Sequence, residues 1–289
     1  MPGVIEKIQY LLRDPYVGLP SEVTDLPSTY PDKRYVVFFT PRSGSTRLTN
    51  LIRRAGGLGR PDECFNPDIV PALAKKLGAD SLETYTDRLL RARQDGKIFG
   101  CEVTYLQIMI LFKSARRFRR AVNPTDLIWL IREDLVAQSV SASRMVQTGV
   151  SQSVFSSPKE LAQADKDFVY DAPAIRSAML RMLVQEWRTE AVLAQMPHKP
   201  LRLSYELVNA FPPQSVLTLI RDHLKTEPKD DSRVFSTHKK VSGTKSLEMS
   251  ERFRAEHAGF VAWVDRRRAK RIAALDEARA ALSELQSAS

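Results

Sequence analysis

The segment Thr40-Pro41-Arg42-Ser43-Gly44-Ser45-Thr46 places a permanent cation, a glycine and several hydroxyls directly behind the apolar run Tyr35-Val36-Val37-Phe38-Phe39. A tight turn between a buried strand and a helix aims successive backbone N–H groups and the positive helix end at one point, where an anionic oxygen group fits. Arg42 adds a charge with several donors, suited to phosphate or sulfuryl oxygens. Gly44 permits a close approach or an unusual dihedral angle. Ser43, Ser45 and Thr46 offer hydroxyls as well as amides. The same residues are compatible with an ordinary capped helix start, but strand, cation, glycine, hydroxyls and helix together favour an anion cradle. The loop lacks the lysine and most of the glycines of the nucleoside-triphosphate loop, which argues against ATP hydrolysis.

Such a cradle needs a frame. The runs 98–103, 127–131 and 201–205 read as further strands, separated by helical patterns at 81–94, 105–119, 133–147, 171–196 and 213–225. Strands alternating with helices predict an α/β fold with a mostly parallel sheet covered on both faces, and ligands of such sheets gather beyond the carboxyl ends of the strands. Residues 1–31 read as an N-terminal amphipathic segment and connector, and 32–289 as a single α/β domain. The polar stretch 148–170 reads as a loop or lid, and 229–246 as irregular and basic before a final helix containing Met249, Phe253, Phe260 and Val261.

Composition narrows the classes. Hydrophobic residues at 43% and charged residues at 27% of 289 exclude a disordered chain. No stretch approaches the roughly 20 apolar residues of a membrane span, and the first twenty residues do not resemble a secretory signal. Cys64 and Cys101 have no metal-like spacing and read as reduced thiols, so a cytoplasmic protein is expected. Lys plus Arg number 44 against 34 Asp plus Glu, a net charge of +10 that suits nucleic acid, an anionic membrane surface or an anionic small molecule. The runs 113–120 and 265–270 read as solvated helix faces, and no nucleic-acid signature accompanies them. His198, His223, His238 and His257 read as structural or surface residues, and no metal site is expected.

The loop resembles the 5′-phosphosulfate loop of sulfotransferases that use 3′-phosphoadenylyl sulfate (PAPS). The chain most resembles the mycobacterial trehalose 2-sulfotransferase (Stf0-type) family, over roughly 34–256. The Arg-Ser-Gly-Ser-Thr loop of that family is Arg42–Thr46 here, and its Gly-x-Pro-x-Glu-x-Phe element is Gly59-Arg60-Pro61-Asp62-Glu63-Cys64-Phe65. The match puts Glu63 at the family's general base, with Asp62 as the second candidate. Ile131-Arg132-Glu133-Asp134-Leu135-Val136-Ala137-Gln138-Ser139-Val140-Ser141 resembles the family's 3′-phosphate motif and implies that role for Arg132 and Ser141. Gln185-Glu186-Trp187-Arg188 is similar to the Trp-Arg core of a family helix, Leu203–Glu206 to its strand-end tyrosine element with Tyr205 as a donor-site residue, and the Lys240–Lys245 segment to its donor-covering loop.

The resemblance implies a P-loop-containing nucleotide-binding three-layer sandwich with a central, mostly parallel sheet. It also implies PAPS as donor, adenosine 3′,5′-bisphosphate as product, a homodimer, and a carbohydrate, lipid or small-metabolite hydroxyl as acceptor; peripheral contact with an anionic membrane stays compatible. Where the family carries a lysine after the second strand, this chain has Gly100-Cys101-Glu102, a charge reversal that bears on the acceptor more than on the donor. Arg42 is then expected at the bond that breaks and Glu63 at the hydroxyl that attacks. The competing readings are an ATP-dependent small-molecule kinase and a non-catalytic protein binding nucleic acid or another anion through 113–120.

Overall fold

A computed structural model describes residues 26–150, 157–227, 231, 234 and 244–287. Strands β1 (Lys33–Phe39), β2 (Gln94–Asp95), β3 (Ile98–Val103), β4 (Asp126–Ile131) and β5 (Leu201–Ser204) form one sheet in the order β2-β3-β1-β4-β5. β1 runs parallel to β3, with Phe38 opposite Val103, and to β4, with Phe39 opposite Leu130. β5 continues the parallel set beside β4, and the two-residue β2 pairs antiparallel with β3. Tyr35 to Phe39 and Leu127 to Ile131 are buried throughout. Strands covered on both faces show such unbroken apolar runs rather than alternation, which is why these strands were legible in the sequence. The chain leaves β1 for β3 on one side and then places β4 on the other, so β1 is the point where winding reverses. The crevice at the carboxyl ends of β1 and β4 is where an open sheet receives ligands.

Helices flank the sheet: α1 (Ser45–Ala55), α2 (Val70–Leu77), α3 (Leu82–Ala92), α4 (Tyr105–Phe112), α5 (Ala115–Val122), α6 (Leu135–Thr148), α7 (Pro158–Asp167), α8 (Ala172–Leu193), α9 (Tyr205–Ala210), α10 (Pro213–Leu224), α11 (Thr244–Glu256), α12 (Ala258–Ala273) and α13 (Asp276–Ser287). A second apolar cluster, built around Val140, Phe168, Met179, Phe253 and Val264, joins α6, α8, α11 and α12 away from the sheet core.

Several boundaries differ from the sequence expectation for local reasons. The helix expected at 105–119 is two, because Lys113 takes φ 60° and Ser114 then accepts the Arg117 N–H at 3.2 Å as a new N-cap. The polar stretch read as a loop or lid contains α7, started by a reciprocal cap between Ser157 and Glu160; residues 151–156 lie outside the described residues. The final helix is three helices. In the basic run 113–120, Ala115 and Phe118 face inward while Arg116, Arg117, Arg119 and Arg120 stay exposed, a solvated face as expected. The run 265–270 does not follow that pattern: Arg268 is only 1% exposed. Among the described residues no helix is long and apolar enough to cross a membrane.

Candidate active site

The loop expected to cradle an anion lies where β1 hands over to α1. Ser43 N–H closes a turn on the Thr40 carbonyl at 3.1 Å, and Gly44, at φ 83°, precedes the first helical residue. A Cβ on Gly44 would stand 2.4 Å from the Tyr205 ring, so both the left-handed dihedral and the close approach require glycine. Among the described residues no side chain caps α1, and its first turn holds no acid. The Ser43 hydroxyl is fully buried and has no hydrogen-bond partner among the described residues. A buried hydroxyl without a partner costs free energy unless something reaches it.

The other side of the crevice is α6 and the loop before it. Arg42 sits at φ 67°, an uncommon conformation for a residue with a Cβ, and its Nε donates to the Ser141 hydroxyl at 3.0 Å. Gln138, buried on the same helix, donates to the Thr40 hydroxyl at 2.9 Å and to the Pro41 carbonyl at 2.7 Å. Arg132 leaves the end of β4, with its guanidinium carbon 4.8 Å from the Tyr205 ring centroid and its Nε 3.8 Å from Glu206. Tyr205 thus lies between Gly44 and Arg132. Burial, and then the charges of Arg132 and Arg144, hold the Arg42 guanidinium below its ordinary value. Like charges gathered at a helix N-terminus suit a ligand with more than one negative charge.

Arg144 is a site neighbour that the sequence did not single out. It lies three residues beyond Ser141 on the same helix face, is 5% exposed and pairs with Asp165 of α7 at 2.9 Å. That spacing was its only signal. Lys245 donates to the carbonyls of Asp165 and Lys166 at 2.7 and 3.0 Å, at the carboxyl end of α7; Lys240 lies outside the described residues. Thr46 and Ser45 occupy the first turn of α1.

The carboxylates come from the loop after α1 and from β3. Gly59, at φ 74°, would place a Cβ 2.8 Å from the Ile98 carbonyl, so glycine lets this loop lie flat on β3. Glu63 is half-buried, and its Oε2 accepts from Asn66 at 3.0 Å and from Gln107 at 2.9 Å. Asp62 is paired with both Arg53 and Arg93, and its carbonyl accepts the Glu102 N–H at 3.0 Å, which makes it a structural acid. Cys64 and Cys101, neighbours in sequence of Glu63 and Glu102, are free buried thiols. Burial first, and a hydrogen bond to Cys64, push the Cys101 thiol well above its ordinary range.

Glu102 is 5% exposed, and its carboxyl is pushed up to about 8, first by burial and then by the charge of Glu63, against a hydrogen bond with Ser45. The charge reversal expected from the sequence is therefore absent at neutral pH: the group is mostly neutral. In the unfolded chain it titrates near 4.5, so the folded state binds the extra proton between there and about pH 8. Stability from this group is full below the lower value and is lost as pH rises to the upper one. Glu102→Gln is expected to flatten that slope, which is worth on the order of a few kcal/mol. Chemical denaturation at pH 5 and pH 8.5 measures it; equal slopes in both proteins would contradict the neutral carboxyl.

Among the described residues no group of three or more His, Cys, Asp or Glu side chains could hold a metal ion. The family model described as Stf0 sulphotransferase matches residues 34–256. No curated protein sequence matches the chain at a significant level. Among solved structures, the chain resembles the sulfotransferase domain from the curacin biosynthetic pathway, at 14% identity and a TM-score of 0.42, over 81% of this chain and 99% of that one.

Proposed function

Because the chain belongs to the Stf0 sulphotransferase family, we propose that it transfers a sulfuryl group from PAPS to a hydroxyl of a carbohydrate, lipid or small metabolite. One observation carries the donor assignment: Arg42 and Arg132, from the ends of adjacent parallel strands, gather at a helix N-terminus with the Ser43 hydroxyl, which has no partner among the described residues. A donor with phosphates at both the 5′ and 3′ positions matches two cations at the ends of neighbouring strands. PAPS supplies a phosphosulfate anhydride whose 5′-phosphate is the leaving group.

In this reading the N–H groups of Ser43–Thr46 hold the 5′-phosphate end. Arg42 neutralises charge on the bridging oxygen as the sulfur–oxygen bond breaks, the moment at which preorganised donors contribute most. Arg132 and the Ser141 hydroxyl receive the 3′-phosphate, and Tyr205 walls the space between the two ends. Glu63 takes the proton from the acceptor hydroxyl. Asn66 and Gln107 fix its Oε2, so Oε1 is the oxygen for that proton. An ATP-dependent kinase is the weaker reading, because no lysine stands in the loop to meet the transferring phosphate. Lys240 and Lys245 as a donor cover, a homodimer and a cytoplasmic location belong to the same proposal.

The direct test is transfer from donor labelled in the sulfuryl group to a panel of sugars, hydroxylated lipids and small alcohols, followed by a complex with adenosine 3′,5′-bisphosphate. Label is expected in an acceptor, with the bisphosphate spanning Arg42 and Arg132. Preferential, magnesium-dependent binding of ATP would favour the kinase instead.

A further inference from the structure

Helix α12 reaches back to the loop from which Arg132 projects. Arg268 of α12 and Glu186 of α8 form a fully buried bidentate pair, Nε to Oε2 at 2.9 Å and Nη2 to Oε1 at 2.8 Å. The remaining donors of Arg268 go to main chain: Nη1 to the Glu133 carbonyl at 2.7 Å and Nη2 to the Arg132 carbonyl at 2.5 Å. From the opposite side Glu206 accepts the N–H groups of Glu133 at 2.8 Å and Asp134 at 3.3 Å. The peptide units at the end of β4 are held by their carbonyls from one direction and by their amides from the other.

We propose that Arg268, oriented by Glu186, is a positioning residue for the 3′-phosphate end of the donor site, fixing the backbone that aims Arg132. The proposal rests on the donor reading above. A buried ion pair is a poor device for stability alone, since an apolar pair of similar volume fills the space without the desolvation cost. An apolar pair cannot supply donors to two carbonyls beyond the end of a strand, where the sheet no longer bonds them. Lysine falls short as well, because its three donors cannot make the four bonds of Arg268, two to the carboxylate and one to each carbonyl. Arg271, one turn on, adds a contact to Glu186 at 3.3 Å, and Arg279 of α13 reaches the Glu133 carboxylate at 3.2 Å. All three arginines lie beyond residue 256, outside the matched family segment, so the C-terminal helices of this chain complete a site whose ligand-facing residues come from within that segment.

The test compares the affinities of adenosine 3′,5′-bisphosphate and adenosine 5′-monophosphate for the full chain by calorimetry. Arg268→Lys, and the apolar double variant Glu186→Met with Arg268→Met, are expected to lower the bisphosphate-to-monophosphate affinity ratio by about 10- to 100-fold, with monophosphate affinity unchanged. The double variant keeps the space filled, and near-ultraviolet circular dichroism and melting verify that each protein is folded. An unchanged ratio in a folded variant, or equal loss for both nucleotides, would overturn the proposal. Arg132→Ala supplies the reference: if it also leaves the ratio intact, the donor reading itself falls, and with it the role of the brace.

Discussion

Arg42→Ala is expected to lower kcat by about 100- to 1,000-fold, the cost of removing one well-aimed donor from a developing negative charge. Its bisphosphate affinity should weaken as well. The fold should change little: the variant loses the bond to Ser141 but also the burial of a cation beside Arg132 and Arg144, and the two effects oppose each other. Stability is therefore expected within about 1 kcal/mol of the parent. Such a pattern, activity lost with stability kept, marks a residue retained for chemistry at some cost to the fold. Arg42→Lys should recover only part of the rate, because an ammonium lacks the planar fork that could hold Ser141 and still reach the bridging oxygen of the proposed donor. Full activity in the alanine variant, measured with saturating donor, would remove Arg42 from the reaction.

The second large effect is expected at Glu63. Glu63→Gln should reduce kcat by about 100- to 10,000-fold, the range a positioned general base supplies, with bisphosphate affinity unchanged. Glutamine keeps an oxygen that accepts from Asn66 and Gln107, so the loop stays in place while basicity is lost. The same substitution has a consequence at Glu102. The Glu63 charge is the largest contribution after burial to holding the Glu102 carboxyl up near 8, so the Glu102 titration should move to lower pH in the variant. Retention of the rate in Glu63→Gln would point to another base; Asp62 is a poor one, with guanidinium groups on both its oxygens.

The sheet was readable because its inner strands are covered on both sides. The run expected at 98–103 is β3 to the residue, and 35–39 and 127–131 gain only one or two residues at their polar starts. The two-residue β2 gave no signal, since a pair that short has no periodicity. The strand-to-helix turn at 40–46 was readable for a similar reason: its glycine, hydroxyls and cation are consecutive, so the signal is local. Gly59 and Glu63 sat in one short motif, although why glycine is needed there became clear only from the Ile98 carbonyl lying beneath it.

Charge state and burial were not readable. Glu102 looked like a reversed charge, yet its surroundings make it mostly neutral at pH 7. Arg268 looked like one more arginine in a solvated run, and its neighbours Arg266 and Arg267 are indeed exposed. What turns Arg268 inward is Glu186, far back in the sequence on α8. A charged side chain can be buried only where a partner meets it, and a pattern along one helix carries no record of what stands opposite.

The sequence by itself determined the α/β frame, the strand-to-helix junction at 40–46 and the family, because each rests on residues adjacent in the chain or on the repeat of one element. Only the tertiary structure decided that Arg42 meets Ser141, that Arg144 joins them, and that the far C-terminal helices grip the backbone of Arg132. Those are contacts between segments dozens to more than a hundred residues apart, and packing alone, not local order, chooses which side chains share a site.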